Sequence, residues 1–253
     1  MDIHEYQAKQ IFKDYEIPTV SGIVVSTPEE AVKAAEQIGL PVVLKAQVLT
    51  GGRGKAGGVR IVRCPCEVAS TAEEMLSLCI KNLPVEKLLV TPVVTIRREV
   101  CLSLLIDRGI SKVVFIGCAD GGVDIESVAK AAPEKIHRLE VPAHKLEDVS
   151  PEDCLAFAFK LFPGEEQASQ AAKIMVSMAR MFKERDCSLV EINPLIEDDT
   201  GAVVALDAKV SMDDNALFRQ PVNQTLKNIN DGACGCNGSN GHNVSFVRLD
   251  GSI

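Results

Sequence analysis

The stretch "KAQVLTGGRGKAGGVRIV", residues 45–62, limits what this chain can fold into more than any other. Gly52-Arg53-Gly54-Lys55-Ala56-Gly57 has the form G-x-G-x-x-G. The dinucleotide-binding fingerprint, however, needs a helix after its last glycine, so that the helix N-terminus receives the pyrophosphate. Here "VRIV" follows, alternating apolar and basic residues as a strand does. A P-loop fails as well, because Ala56 follows Lys55 and no glycine stands five residues before Gly54. What remains is a strand, a glycine-rich turn and a second strand. Such a hairpin can close over a triphosphate and offer backbone N–H groups where side chains would obstruct. Arg53 and Lys55 supply charge, and Lys45 on the leading strand can reach a phosphate as a kinase's strand lysine does. A flexible surface hairpin with solvated bases would look the same.

Around this hairpin, helices and strand pairs alternate without a regular βαβ period. Ala8, Ile11, Phe12 and Tyr15 share one face of a first helix, which "EIPT" ends. "TPEEAVKAAEQIG" carries Thr27 as N-cap, Pro28 at the first helical position, Glu30 to close a capping box and Gly39 at the far end. "EKLLVTPVVTI", "REVCLSLLIDR" and "KVVFIGCA" read as consecutive strands. From Pro151 to Arg185 the pattern is helical, with Ala168, Ala171, Met175, Met178 and Phe182 on one core-facing stripe. "SLVEINPLI" and "AVVALDAKV" follow as a hairpin through the turn "EDDTG". The expectation is an α+β fold, not a doubly wound sheet.

The bulk numbers exclude little. A length of 253 residues accommodates one large domain or two smaller ones, with 46% hydrophobic and 25% charged residues. A net charge of −8 disfavours general nucleic-acid binding but allows a local basic pocket. No signal-like N-terminus and no membrane-spanning apolar run is evident, so the expectation is a soluble, intracellular protein with no membrane partner. Nine cysteines, an odd number, suit a reducing compartment. The pairs Cys64/Cys66 and Cys234/Cys236 lack the usual zinc spacing and are read as free thiols, the first at a strand end.

Two polar intrusions mark the last hairpin. Glu191 and Asn193 share a strand face in "LVEINPL", and Asp207 and Lys209 share one in "VVALDAKV". Hard oxygen donors of this kind suit Mg²⁺, which keeps water and phosphate oxygens for its remaining positions. Asn193 and Asp207 are the metal candidates, with Glu191 just beyond them. A surface pair of Lys209 with Asp207 or Glu191 is the plain alternative.

Taken together, "HEYQAKQIF", "GGRGKAGGV", "GGVDIE", "LVEINPL" and "NALFRQP" resemble the β subunit of succinyl-CoA synthetase (succinate–CoA ligase) in order and spacing. The resemblance covers residues 1 to about 221 and resumes at "VRLDGSI". It implies an ATP-grasp architecture in which two lobes clamp a nucleotide, ATP or GTP. By the same resemblance Lys45, Gly52, Arg53 and Gly54 hold phosphates, while Val94 and Glu99 contact the base and ribose. Asn193 and Asp207 match the Mg²⁺ ligands, and Glu191 the acid facing a phosphohistidine brought by an α subunit that also carries the CoA site. The implied reaction passes the γ-phosphoryl to that histidine, then to succinate as an acyl phosphate that CoA displaces, in the citric acid cycle. The implied location is the bacterial cytoplasm or the mitochondrial matrix. Residues 222–253 are expected to form a linker and the first strand of a second domain of which the remainder is absent.

Thr91 departs from the family pattern, which has glutamate there, and is left out of the site. Asp120, Glu126, Asn215 and Arg219 are read as loop architecture, His4 as structural, and His137 and His144 as solvated. A malate–CoA ligase β subunit, a citrate-cleaving relative, a carboxylate–amine ligase and a non-catalytic nucleotide-binding fragment stand as alternatives.

Overall fold

The computed structural model describes residues 1–226 apart from 124 and 147. The apolar restart "VSFVRLDGSI", the Cys234/Cys236 pair and His242 lie outside the described residues. Strand β1 (Asp2–Ile3) and helix α1 (Glu5–Asp14) open the chain. A smaller lobe follows, with β2 (Ile23–Val25), α2 (Pro28–Ile38), β3 (Val42–Ala46), β4 (Val59–Val62) and α3 (Pro65–Leu76). A short β5 (Cys79–Ile80) and β6 (Leu83–Pro84) pair, then β7 (Leu88–Pro92) complete it. The chain then returns to a larger lobe with β8 (Ile96–Asp107), β9 (Lys112–Cys118), α4 (Ile125–Ala131), β10 (Ile136–Val141), α5 (Pro151–Ala158) and α6 (Glu165–Glu184). It closes with β11 (Cys187–Asp198), β12 (Val203–Ala205), β13 (Lys209–Met212) and α7 (Pro221–Thr225).

The larger sheet runs β1-β13-β11-β8-β9-β10, with β12 also on β11. The smaller runs β2-β7-β3-β4, and every paired strand in both is antiparallel. The smaller sheet hides one face behind two helices, and α1, α5 and α6 all pack into the core of the larger. Ala31, Ala34 and Ala35 of α2 and Val68, Ala72 and Met75 of α3 cover the smaller sheet. Along α6, Ala168, Ala171, Met175, Met178 and Phe182 are all buried in the larger core, as their spacing predicts. Full burial of a large apolar side chain contributes about 1.5–3 kcal/mol. The two apolar cores share no residue, so each lobe is stabilised from within.

The helix boundaries of α2 fall where its punctuation places them. Thr27 Oγ1 accepts from Glu30 N–H at 3.2 Å, while the Glu30 carboxylate accepts from Ser26 N–H at 2.7 Å, one residue before the expected partner. Three expectations need correction. The helical run 151–185 is two helices, because Pro163 resists a helical predecessor and Gly164, in extended backbone, is the N-cap of α6. "AVVALDAKV" is two short strands, since Pro194 opposite has no N–H to give and the chain bends at Leu206–Ala208. Cys64 and Cys66 are joined by a disulfide, not free. Cys64 takes the N-cap of α3 with Pro65 after it, and this turn sets the two Cα atoms 5.3 Å apart, within bridging range. Cys79, Cys101, Cys118, Cys154 and Cys187 are free. Among the described residues no helix is long and apolar enough to cross a membrane.

Candidate functional site

Strand alternation sets the site. Leu44 and Ala46 point into the smaller core, so Lys45 between them points the other way, toward the larger lobe. Its Nζ donates to Glu5 Oε1 at 3.0 Å and to the Leu206 carbonyl at 2.8 Å. The hairpin turn then brings Arg53 back beneath β3. Gly52 and Gly57, at φ +78° and +75°, allow this tight return, and Gly58 N–H donates to the Arg53 carbonyl at 2.9 Å.

Arg53 is buried and fully engaged. Nη1 donates to Ala46 O at 2.9 Å, and Nη2 reaches both Asp207 oxygens at 2.6 and 2.9 Å. The same nitrogen lies 3.0 Å from Glu5 Oε2. Glu5 in turn pairs with Lys9 at 3.0 Å and accepts from Gln47 Nε2 at 3.3 Å. The seam between two apolar cores is thus a buried polar cluster whose acids come from the larger lobe. Lys55, by contrast, is exposed.

Burial alone would raise the Glu5 carboxyl, but the charges of Lys45, Lys9 and Arg53 outweigh it and hold that carboxyl well below the usual range. Burial lowers Lys9 to about 8, against the pull of Glu5. For Arg53 burial is again opposed, here by Asp207 and Glu5, which push its proton affinity above the ordinary value.

A second group adjoins along β11. The register that pairs Leu195 with Ala205 and Glu191 with Lys209 places Asn193 opposite Asp207. Asn193 Oδ1 accepts from Gly122 N–H at 2.8 Å, and its Nδ2 donates to Val123 O at 2.9 Å. Gly121 N–H donates to the Glu99 carbonyl at 3.1 Å. "DGGVDIE", for which the residues suggested only loop architecture, is therefore tied to both Asn193 and Glu99. Burial raises the Glu191 carboxyl above its ordinary range; Lys209 opposes this, while Glu126 and Asp207 add to it.

The expected residues therefore fall in two adjoining sets, Lys45, Arg53 and Asp207 at the seam and Glu99, Glu191 and Asn193 along β8 and β11, while Gly52 and Gly54 lie exposed in the hairpin turn that carries Arg53. Val94 lies outside both, half-buried in the connection 93–95 between β7 and β8. Asp207 pairs with Arg53 rather than with Lys209. Thr91 is buried, and its hydroxyl has no hydrogen-bond partner among the described residues. Arg219 forks onto Asp186 at 3.0 and 2.5 Å, which is loop architecture as expected. Glu5 is the residue that sequence reasoning passed over. Its signal was an acid on the apolar face of α1, one turn before Ala8 and Lys9.

An ATP-grasp domain profile matches residues 2–197. The chain belongs to the ATP-grasp family, in its succinate–CoA ligase β-subunit branch. A succinate–CoA ligase [ADP-forming] subunit beta from Chloroflexus aurantiacus is 43% identical over all of this chain and 66% of its own length. A [GDP-forming] subunit beta from Thermus thermophilus is 40% identical, again over all of this chain and 66% of that protein. The chain thus spans about two thirds of the curated relatives it matches. The dinucleotide-forming acetyl-coenzyme A synthetase 1 of Ca. Korarchaeum cryptofilum, solved with coenzyme A and Ca-AMPCP, superposes with a TM-score of 0.69 at 21% identity. That match covers 84% of this chain and 93% of the other, and shows a shared two-lobed fold.

Proposed function

We propose that this chain is the nucleotide-binding part of a succinate–CoA ligase β subunit. It binds a Mg-nucleoside triphosphate and exchanges the γ-phosphoryl with a histidine of an α subunit, which also carries the CoA site, in succinate/succinyl-CoA interconversion. Residues 1–221 make up the nucleotide domain and 222–253 lead into a second one; the setting is the bacterial cytoplasm or a mitochondrial matrix. The observation that carries this reading is the convergence of two cations from one lobe on the 206–207 bend of the other, Lys45 on the Leu206 carbonyl and Arg53 on the Asp207 carboxylate.

Lys45 and Arg53 bind the phosphates, with Gly52 and Gly54 letting backbone approach. Val94 and Glu99 line the base and ribose. Asn193 and Asp207 offer one amide and one carboxylate oxygen. Among the described residues no three His, Cys, Asp or Glu side chains gather as a metal site, so an ion here depends on phosphate and water for its other positions. That sparse, hard-oxygen set fits Mg²⁺. Bound Mg²⁺ would offset charge on the phosphates. Glu191, held above the usual carboxylate range, accepts an N–H from the incoming imidazole and orients it.

Calorimetric titration with Mg-ATP and Mg-GTP tests the site. Lys45→Ala and Asp207→Ala are each expected to weaken binding about tenfold or more. Normal affinity in Lys45→Ala would remove the phosphate role. Succinyl-CoA formation is expected only when an α subunit is added; nucleotide uptake without turnover in its presence would reject the ligase assignment.

A further inference from the structure

Glu5 has no part in the roles assigned above, yet it is the most heavily bonded acid of the seam. Its side chain is 1% exposed, and its two oxygens face Lys9, Lys45, Arg53 and Gln47 at 3.0–3.3 Å. Gln47 is itself fixed, accepting from Tyr6 N–H at 3.2 Å and donating to Lys45 O at 3.1 Å. The helix that carries Glu5 is anchored in the larger core through Ala8, Ile11 and Phe12, whereas both cations of interest ride on the smaller lobe. A rigid acid in one lobe therefore sets where two cations of the other lobe stand.

Donor counting shows what is left over. Lys45 has three N–H donors, and Glu5 and Leu206 O engage two. The Arg53 fork is shared among Ala46 O, Glu5 and Asp207. Asp207 is the one exposed partner, with 35% of its side chain open against 1% for Glu5. A phosphate can displace Asp207 from Arg53; it cannot reach Glu5. Two acids face three cations here, so the cluster keeps a surplus positive charge for an anion.

We propose that Glu5 is a positioning residue of the phosphate site, holding Lys45 and Arg53 aimed into the cleft while Arg53 exchanges Asp207 for a phosphate oxygen. The idea rests on the nucleotide reading above. Pre-orientation of both cations spares the ordering cost that a loose lysine and arginine would incur on binding.

The test uses the full chain and a Glu5→Gln/Lys9→Met double variant. This pair removes one charge of each sign, so the summed charge of the cluster is unchanged. Calorimetry compares Mg-ATP with adenosine, and Mg-GTP with guanosine. The expected result is a triphosphate Kd raised about tenfold or more and a nucleoside Kd within about twofold of wild type. Damage to the fold at large would weaken nucleoside and triphosphate alike, and that outcome overturns the proposal, as does an unchanged triphosphate affinity. Lys9→Met alone is expected to bind near wild type; a loss equal to the double variant's gives the role to Lys9 and removes it from Glu5. A wild type that takes up neither nucleotide defeats the nucleotide reading itself, and this inference with it.

Discussion

Burial of Glu191 sets the role proposed for it against the stability of the fold. Burial raises its folded pKa above the unfolded value of 4.5, so between the two the folded chain keeps a proton that the unfolded chain releases. The group's stabilising contribution is complete below 4.5 and is lost as pH rises through the folded value. A charge on this half-buried carboxyl is a net burden. Glu191→Gln, neutral at every pH, is expected to melt on the order of 2 °C higher than wild type at neutral pH. The gap should close as pH falls below the ordinary carboxylate range, and phosphoryl transfer to an α-subunit histidine should be lost. Thermal melts at a series of pH values check the first part; a variant that melts lower at neutral pH would show that Lys209 outweighs burial. Glu191 and Asn193 could be read from alternation along one strand. For Glu5 the sequence shows only an acid on an apolar helix face one turn before Lys9; Lys45 and Arg53 lie 40 and 48 residues onward, and only the closed seam brings them to it.

The elements were legible wherever their signals were local. Helix α2 announces itself through Thr27, Pro28 and Gly39, and the β3–β4 hairpin through glycine followed by alternation. Where a tertiary partner decides, the sequence misleads. The bend at Leu206–Ala208 depends on Pro194 across the hairpin, and it frees Leu206 O for Lys45 and Asp207 for Arg53. The tie between "DGGVDIE" and β8 was likewise invisible, being a close backbone approach. A Cβ built on Gly121 would stand 2.5 Å from Val100 N and 2.6 Å from the Glu99 carbonyl carbon. Both are strand backbone and cannot give way. Gly121→Ala should therefore cost about 1–3 kcal/mol and loosen the Gly122–Asn193 hydrogen bond. Urea unfolding reads the first effect and Mg-nucleotide titration the second. A substitution tolerated in both would mean that the loop does not hold Asn193.

At the scale of the molecule, two self-sufficient cores meet through charge, and the order in which that seam fails can be argued from who is left without a partner. Removing Glu5 as Glu5→Gln leaves buried Lys9 and Lys45 without an acid and Arg53 with Asp207 alone. Breaking a buried pair in this way costs about 3–5 kcal/mol. Arg53→Met is milder, because Glu5 keeps Lys9 and Lys45, and Asp207, a third exposed, turns to water. Its loss is that of charge-assisted hydrogen bonds, about 1.5–3 kcal/mol. The expected ranking in chemical denaturation is wild type, then Arg53→Met, then Glu5→Gln. Hydrogen exchange locates the damage. The smaller lobe has the lesser core, so amides of β3, β4 and β7 should lose protection first in both variants, while those of β8, β9 and β11 hold nearer to wild type. Equal loss across both sheets would mean that the lobes unfold as one unit and that the seam is only one part of a shared core.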